Sequence, residues 1–125
     1  MGTDSALQEL YDVVQDRKKH SAEGSYTCYL FEQGLDKILK KCGEECSETI
    51  IAAKTLEYAQ ASPKSAPDAE KARADAENEV CDLLYHLTVL LVQLEIPLKN
   101  IEDILKERSG KIGNLKAAKK TDLNS

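Results

Sequence analysis

The sequence contains no Trp, one Phe, three Pro and six Gly among its 125 residues. A chain with so few aromatic and turn residues is typical of helical proteins and not of β-sheet proteins. It also lacks internal repeats and a Gly-rich loop of the kind that holds phosphates. The length accommodates one domain with a single hydrophobic core. We therefore predict an all-α domain.

The chain also lacks an excess of positive charge. Its net charge is −5, and 31% of its residues are charged. An acidic surface repels nucleic acids and anionic membranes, so we expect neither as a partner. If the chain binds phosphates, a cation has to lie between its own acidic groups and theirs.

No long apolar run and no targeting segment are present. The most apolar stretch, from Leu83 to Leu94, is interrupted by Tyr, His, Thr and Gln and is too short to span a bilayer. Residues 1–5 carry neither the basic segment nor the apolar run of a signal peptide. We therefore expect a cytoplasmic protein.

None of the four cysteines forms a C-x-x-C pair. Cys42 and Cys46 lie one helical turn apart. A zinc site built from these two, Cys81 and His86 would not have the spacing of a zinc module. We expect all four cysteines, including Cys28, to be small buried thiols that stay free in a reducing cytoplasm.

Two segments carry acidic side chains at the spacing of a helical turn. Glu44, Glu45 and Glu48 form the first group, and Glu79 and Asp82 form the second. Residues three or four apart share one face of a helix, so each group presents oxygen ligands in one direction. Both groups run into apolar stretches, where carboxylates are costly unless they are paired or metal-bound. The pattern favours a Mg²⁺ site over the alternative of two solvated acidic helix faces.

Five helices are predicted from apolar residues that recur at helical spacing. Their limits come from capping side chains and from Gly and Pro. The expected caps are Ser5, Ser25 and Asn100, and Ser65 with Pro67 and then Asp68 indicates the start of the fourth helix. The predicted helices cover about 5–20, 25–34, 35–57 or slightly beyond, 68–94 and 100–108, with a loop over 60–67.

The fourth predicted helix is apolar on more than one side in its second half, from Val80 to Leu94. One small subunit offers too little surface to cover it, so we predict a homodimer. Gly43 inside the third helix costs about 1 kcal/mol relative to Ala, which favours the close approach of a backbone or a ligand there. In the last helix, we expect the apolar side chains to face inward, namely Ile101, Ile104 and Leu105.

Five blocks follow one another along the chain. They are Ser25-Tyr26-Thr27, Gly34-Leu35-Asp36-Lys37-Ile38-Leu39-Lys40-Lys41, Gly43-Glu44-Glu45-x-x-Glu48, Ile51-Ala52-Ala53-Lys54 and Glu79-x-x-Asp82-Leu83-Leu84-Tyr85-His86-Leu87. In this order they resemble the phosphoribosyl-ATP pyrophosphohydrolase family of the all-α NTP pyrophosphatase (MazG-like) superfamily, whose mark is E-E-x-x-E followed by E-x-x-D. The resemblance extends from about residue 7 to residue 108. We therefore expect a helical domain over 1–108 and a polar, flexible tail over 109–125.

The resemblance implies a helical bundle that is completed by dimerisation. It implies hydrolysis of phosphoribosyl-ATP to phosphoribosyl-AMP and pyrophosphate, the second step of histidine biosynthesis, with Mg²⁺ as cofactor. It also implies functional coupling to a phosphoribosyl-AMP cyclohydrolase.

We expect the carboxylates to hold the metal and to take part in catalysis. The metal ligands would be Glu45, Glu48, Glu79 and Asp82, and the catalytic residues would be Glu44, Glu45 and Glu48, with Glu44 as a further ligand or as the base. Substrate contacts are expected from Arg17, Ser25, Tyr26, Thr27, Lys41, Lys54 and His86. The simpler alternatives are surface ion pairs for the lysines, core packing for Tyr26 and a hydrogen-bonded core residue for His86.

Three other functions compete with this interpretation. A pyrophosphatase that acts on free nucleotides such as dUTP or dCTP belongs to the same superfamily. A di-iron carboxylate bundle would need Glu-x-x-His on two helices, but Arg17 and Leu83 stand three residues before the two histidines. A non-catalytic helical bundle, binding a metal or a partner protein, would tolerate neutral residues in place of Glu48 or Asp82.

Overall fold

The computed structural model describes residues 5–62, 64 and 68–111, and this part of the chain contains α-helices and no strand. The prediction of an all-α fold is confirmed. The five helices are α1 (Ala6–Lys19), α2 (Tyr26–Gln33), α3 (Leu35–Ala61), α4 (Ala69–Gln93) and α5 (Leu98–Ser109). The predicted tail lies, from residue 112 onward, outside the described residues.

Two of the three expected caps, Ser5 and Ser25, are confirmed, and Asp68 caps α4 at the predicted helix start. Ser5 accepts from the backbone N–H of Gln8, Ser25 from that of Cys28, and Asp68 from that of Glu70. These bonds satisfy N–H groups that have no partner inside the helix.

Gly34 separates α2 from α3. Its φ of +91° lies in the region that favours glycine, which explains how α2 can end and α3 begin within one residue.

Two helix limits differ from the predicted ones. Helix α3 continues to Ala61, so Gln60 and Ala61 are not part of a loop. Nothing in these residues breaks a helix, and the next breaker in the sequence is Pro63. Helix α5 begins at Leu98 directly after Pro97, so the predicted cap at Asn100 is wrong. The fixed φ of proline suits the start of a helix, and no side-chain cap is needed there.

The chain divides into two compact units after Glu95. In the first unit, α3 and α4 form the largest helix contact, α1 packs against α4, and α2 packs against α1, α3 and α4. The largest fully buried side chains come from all four helices: Val14, Leu30, Ile38 and Val89. Acidic residues on the facing sides of α3 and α4 are therefore brought together by the core of this unit.

The second unit contains α5. The expectation that its apolar side chains face inward is wrong for two of them, because Ile104 and Leu105 are about half exposed in the single chain. Among the described residues, no single helix is long and apolar enough to cross a membrane. Only α4 and α5 taken together meet that test of length and composition.

Candidate active site

Three carboxylates meet between α3 and α4. Glu45 and Glu48 lie one turn apart on α3, and Glu79 lies on the facing side of α4. One oxygen atom from each lies within 4.8 Å of the others. Glu45 is buried, Glu79 is partly buried and Glu48 is exposed, so the group is open to solvent on the Glu48 side. We refer to these three residues as the carboxylate cluster.

Without a bound cation, the carboxylates of the cluster repel one another, and their burial disfavours the charged form. Burial raises the pKa of Glu45, and a hydrogen bond with Glu48 and the charges of Glu48 and Asp82 raise it further. The pKa of Glu79 is raised for the same reasons, with burial first. The Oε2 atoms of both residues are buried, and no described side chain or backbone group hydrogen-bonds to them.

These properties fit a hard divalent cation. Mg²⁺ prefers oxygen ligands, and a bound cation would satisfy the two buried Oε2 atoms and offset the repulsion between the carboxylates. Glu45, Glu48 and Glu79 therefore form a suitable donor set. Asp82 lies one turn beyond Glu79, and although it is not one of the three, its charge is felt by both buried carboxylates.

Lys41 places a positive charge beside the carboxylate cluster. Its Nζ lies 3.1 Å from Glu44 Oε2 and 3.8 Å from Glu45 Oε1. The hydrogen bond from Lys41 lowers the pKa of Glu44 and raises that of Lys41, so this pair stays ionised. The surface ion pair anticipated between Lys41 and Glu45 is present, but the shorter contact is to Glu44.

A chain of hydrogen bonds connects α2 to the part of α4 that carries the acidic residues. His86 is buried, and its Nδ1 lies 2.8 Å from the backbone oxygen of Asp82 and 3.9 Å from Glu45 Oε1. Its Nε2 lies 3.1 Å from the Tyr26 hydroxyl. The neighbours of these two residues also share a hydrogen bond, which joins Thr27 on α2 to Tyr85 on α4. This chain of contacts holds α2 against the part of α4 that carries the acidic residues.

Two cavities are lined by different residues of this site. The smaller one, about 300 Å³, is bounded by Glu48 and Glu79 and continues between α3 and α4 toward Thr55 and Asp75. The larger one, about 700 Å³, is lined by the loop between α1 and α2 and by the side of α2 that carries Tyr26. A ligand held at the carboxylate cluster can therefore extend directly into the smaller cavity.

Comparison with known proteins identifies the family. A model of the phosphoribosyl-ATP pyrophosphohydrolase family matches residues 7–109. The chain belongs to this family. A phosphoribosyl-ATP pyrophosphatase of Clostridium botulinum (strain Kyoto / Type A2) is 46% identical over 121 residues, which cover 97% of this chain and 96% of that protein. Enzymes of the same name from Clostridium acetobutylicum and Clostridium novyi are 45% and 44% identical, over 93% and 88% of this chain and 92% and 86% of their own lengths.

Membership of the phosphoribosyl-ATP pyrophosphohydrolase family confirms the resemblance on which the site residues were chosen. The structure gathers most of them around the carboxylate cluster but not all. Arg17 is paired with Asp16 at the end of α1, and Lys54 is paired with Glu57 on the exposed side of α3. The Ser25 hydroxyl caps α2 by accepting from the backbone N–H of Cys28.

Sequence reasoning missed two residues that position the site. The Thr49 hydroxyl donates to the backbone oxygen of Glu45 at 2.7 Å and lies 3.4 Å from that of Glu79. It therefore connects the two helices at the residues that carry the buried carboxylates. Tyr85 is the second missed residue, because its hydrogen bond to Thr27 holds α2 against α4. Tyr85 lies inside the last family block, one residue before His86, whereas Thr49 lies between two blocks, directly after Glu48, and its position four residues after Glu45 was the only signal for it.

Proposed function

We propose that the chain hydrolyses phosphoribosyl-ATP to phosphoribosyl-AMP and pyrophosphate, the second step of histidine biosynthesis, with Mg²⁺ as cofactor. The observation that carries the proposal is the carboxylate cluster with its two unsatisfied buried oxygens, in a chain of the phosphoribosyl-ATP pyrophosphohydrolase family. The enzyme named in the related proteins acts on a triphosphate, which an acidic site can accept only with a cation between them.

Glu45, Glu48 and Glu79 would hold the cation, and Asp82 would complete the ligand set. When bound there, Mg²⁺ supplies positive charge that neutralises phosphate oxygens and favours the ionisation of water. The buried Glu45 and the partly buried Glu79 would form the inner side of the site, whereas the exposed Glu48 leaves its outer side accessible to substrate.

The carboxylates differ in their fitness as a base. A group accepts a proton most effectively when its pKa lies near the working pH. Lys41 lowers the pKa of Glu44, while burial and Glu48 raise that of Glu45. In the metal-free site, these directions favour the Glu45–Glu48 pair over Glu44 as the proton acceptor, and Glu44 holds Lys41 in place.

In the proposed reaction, the oxygen of water bonds to the α-phosphorus. The bridging oxygen between the α- and β-phosphates leaves with pyrophosphate, and one proton of the water passes to a carboxylate of the pair. Lys41 lies beside the cluster and would contact phosphate oxygens. Tyr26 remains a predicted substrate contact, and because its hydroxyl donates to His86 it would accept a hydrogen bond from the substrate. Arg17 and Lys54 remain predicted substrate contacts, and each has an acidic partner on its own helix.

We also propose that the chain acts as a homodimer. Two apolar stripes lie on the sides of α3 and α4 that face away from the carboxylate cluster, and both follow a spacing of three and four residues. The α3 stripe consists of Leu39, Gly43, Cys46 and Ile50, and the α4 stripe consists of Val80, Leu84, Leu87, Leu91 and Leu94. Leu39, Ile50, Val80, Leu84, Leu87 and Leu94 are each between 38% and 64% exposed in the single chain.

The dimer also gives a reason for Gly43. A Cβ at this position would meet no other atom within 4 Å in the single chain, so no neighbouring backbone of the same chain requires glycine. A second chain packed on the α3 stripe would account for the absent side chain. We further expect a cytoplasmic enzyme whose product passes to a phosphoribosyl-AMP cyclohydrolase.

The test of the reaction is pyrophosphate release from phosphoribosyl-ATP in the presence of Mg²⁺. We expect release by the native chain and its loss in Glu48→Gln and after chelation by EDTA. Glu107→Gln is the matched control, because Glu107 is an exposed helical carboxylate paired with a lysine four residues away. Cleavage of dUTP or dCTP, with phosphoribosyl-ATP left intact, would overturn the proposed substrate. Full activity in Glu48→Gln would overturn the proposed site.

A further inference from the structure

We infer that the cavity formed by Thr55, Asp75 and Asn78 receives the ribose and adenine of the nucleotide, and that the departing pyrophosphate lies on the opposite side of the carboxylate cluster, toward Lys41. This inference rests on the proposed function and adds to it a direction for the bound substrate. It assigns roles to three polar residues that lie outside the acidic motifs.

The position of the cavity carries the first part of the inference. Glu48 and Glu79 belong both to the carboxylate cluster and to the cavity wall, so a ligand in the cavity begins at the reacting phosphate. Lys41 lies seven residues before Glu48 on α3, and Thr55 lies seven residues after it. At 1.5 Å per residue, these side chains leave the helix about 10 Å on either side of Glu48. The site therefore has two ends along α3, one at Lys41 and one at Thr55.

Charge distinguishes the two ends. At one end, the Lys41 ammonium stands beside Glu44 and Glu45, and the positive charges of Lys40 and Lys37 also act on Glu44, so three lysines lie at this end. At the other end, Asp75 adds a carboxylate to those of Glu48 and Glu79. A doubly charged phosphate group is attracted to the lysine end and repelled from the Asp75 end. The pyrophosphate portion therefore belongs on the lysine side.

Lys71 is the cation that faces Asp75. Its Nζ lies 3.0 Å from Asp75 Oδ2, and both side chains are more than half exposed. An exposed ion pair of this kind is weak. Lys71 contacts Oδ2 of Asp75 and not the second carboxylate oxygen, Oδ1. Asp75 can therefore accept hydrogen bonds from a ligand while Lys71 remains at the outer rim.

The lining of the cavity matches an uncharged nucleoside. Ile51, Ala52 and Ala72 provide an apolar surface on which a base can lie. Thr55 and Asp75 offer acceptors that suit ribose hydroxyls, because the Thr55 hydroxyl already donates its proton to the backbone oxygen of Ile51 at 3.0 Å. The Asn78 amide has both a donor and an acceptor, which is the arrangement that reads an adenine edge.

Size supports the same assignment. The cavity volume of about 300 Å³ lies at the lower limit for small-molecule sites. It accommodates a nucleoside but not the whole substrate. The triphosphate therefore extends along the carboxylate cluster, and the added phosphoribosyl group extends past the outer rim.

The test separates the two ends by using two product-like inhibitors, AMP and pyrophosphate, with Mg²⁺ present. We expect Asp75→Asn and Asn78→Ala to weaken inhibition by AMP about tenfold, which is the effect of one hydrogen bond to a buried ligand group. Inhibition by pyrophosphate should change less than twofold. Lys41→Ala should produce the opposite pattern. For phosphoribosyl-ATP, the two cavity variants should raise KM about tenfold and leave kcat within a factor of three.

Asp103→Asn is the matched control, since Asp103 is an exposed helical aspartate in an ion pair with Lys99 four residues before it. It should leave both inhibitors and KM unchanged. Unchanged inhibition by AMP in both cavity variants would overturn the inference, and so would an equal loss for AMP and pyrophosphate, which would indicate damage to the carboxylate cluster. If the native chain released no pyrophosphate from phosphoribosyl-ATP, the proposed function itself would fail.

Discussion

Tyr26 on α2 and His86 on α4 are joined by a hydrogen bond, with the Tyr26 hydroxyl 3.1 Å from His86 Nε2. The direction of this bond follows from the other ring nitrogen. Nδ1 lies 2.8 Å from the backbone oxygen of Asp82, which can only accept, so Nδ1 carries the proton. Nε2 of the neutral ring then accepts from the phenol. The same buried histidine therefore fixes Tyr26 and contacts the backbone of an acidic motif.

Tyr26→Phe tests this bond. Removal of the hydroxyl leaves the Nε2 of buried His86 without its partner, and we expect a loss of about 1–3 kcal/mol in the free energy of unfolding. The measurement is urea unfolding at a fixed protein concentration, with Tyr29→Phe as control. Tyr29 is on the same helix and similarly exposed, and the described residues give its hydroxyl no hydrogen bond. Equal unfolding midpoints for the two variants would contradict the role given to Tyr26.

Much of the fold could be predicted because its signals are local. The Ser5, Ser25 and Asp68 caps each act within three residues of themselves, and Gly34 acts at its own position. The same locality explains the errors. Asn100 is a good capping residue, but the backbone geometry of Pro97 lets the helix begin at Leu98, two residues before Asn100.

The site was only partly predictable because its geometry is not local. The spacing of Glu45 and Glu48 places both on one helix face, but which turn of α4 they face depends on packing between distant side chains such as Ile38 and Val89. Tyr85 bonds to Thr27 across 58 residues of sequence. No spacing rule connects two such residues, so this contact could be found only in three dimensions.

Glu45→Gln should stabilise the metal-free chain. The substitution removes a buried negative charge that repels Glu48 and Asp82. We expect the melting temperature near pH 7, with EDTA present, to rise by a few degrees, given that 1 kcal/mol corresponds to about 4 °C in a domain of this size. Glu44→Gln is the opposite control, because it removes a charge that Lys41 stabilises. A lower melting temperature for Glu45→Gln would show that its charge is compensated in the metal-free chain.

The stability advantage of Glu45→Gln should depend on pH with a definite sign. The folded-state pKa of Glu45 is raised above its ordinary value of 4.5. Between that value and the raised pKa, the folded chain binds more protons than the unfolded chain, so native stability falls as pH rises. The difference between Glu45→Gln and the native chain should therefore be small near pH 4.5 and grow toward neutral pH. Thermal unfolding of both proteins across this range measures it, and a constant difference would contradict the assigned pKa shift.

Mg²⁺ should stabilise the native chain in a pH-dependent way. The ion binds ionised carboxylates, so it competes with protons at Glu45 and Glu79, whose pKa values are raised. We expect the rise in melting temperature caused by Mg²⁺ to shrink as pH falls from 8 to 5. The rise should disappear in Glu48→Gln and persist in Glu107→Gln. An equal rise in both variants would indicate binding outside the carboxylate cluster.

Leu84→Glu should dissociate the proposed dimer. Leu84 lies in the middle of the α4 stripe and is 39% exposed in the single chain, so a charge there is tolerated by a monomer but not by an apolar interface. Sedimentation analysis should show the native chain at twice the mass of Leu84→Glu. Val13→Glu is the matched control, because Val13 is 52% exposed but lies on α1, outside both stripes. If Leu84→Glu kept the native mass, the α4 stripe would not form the interface.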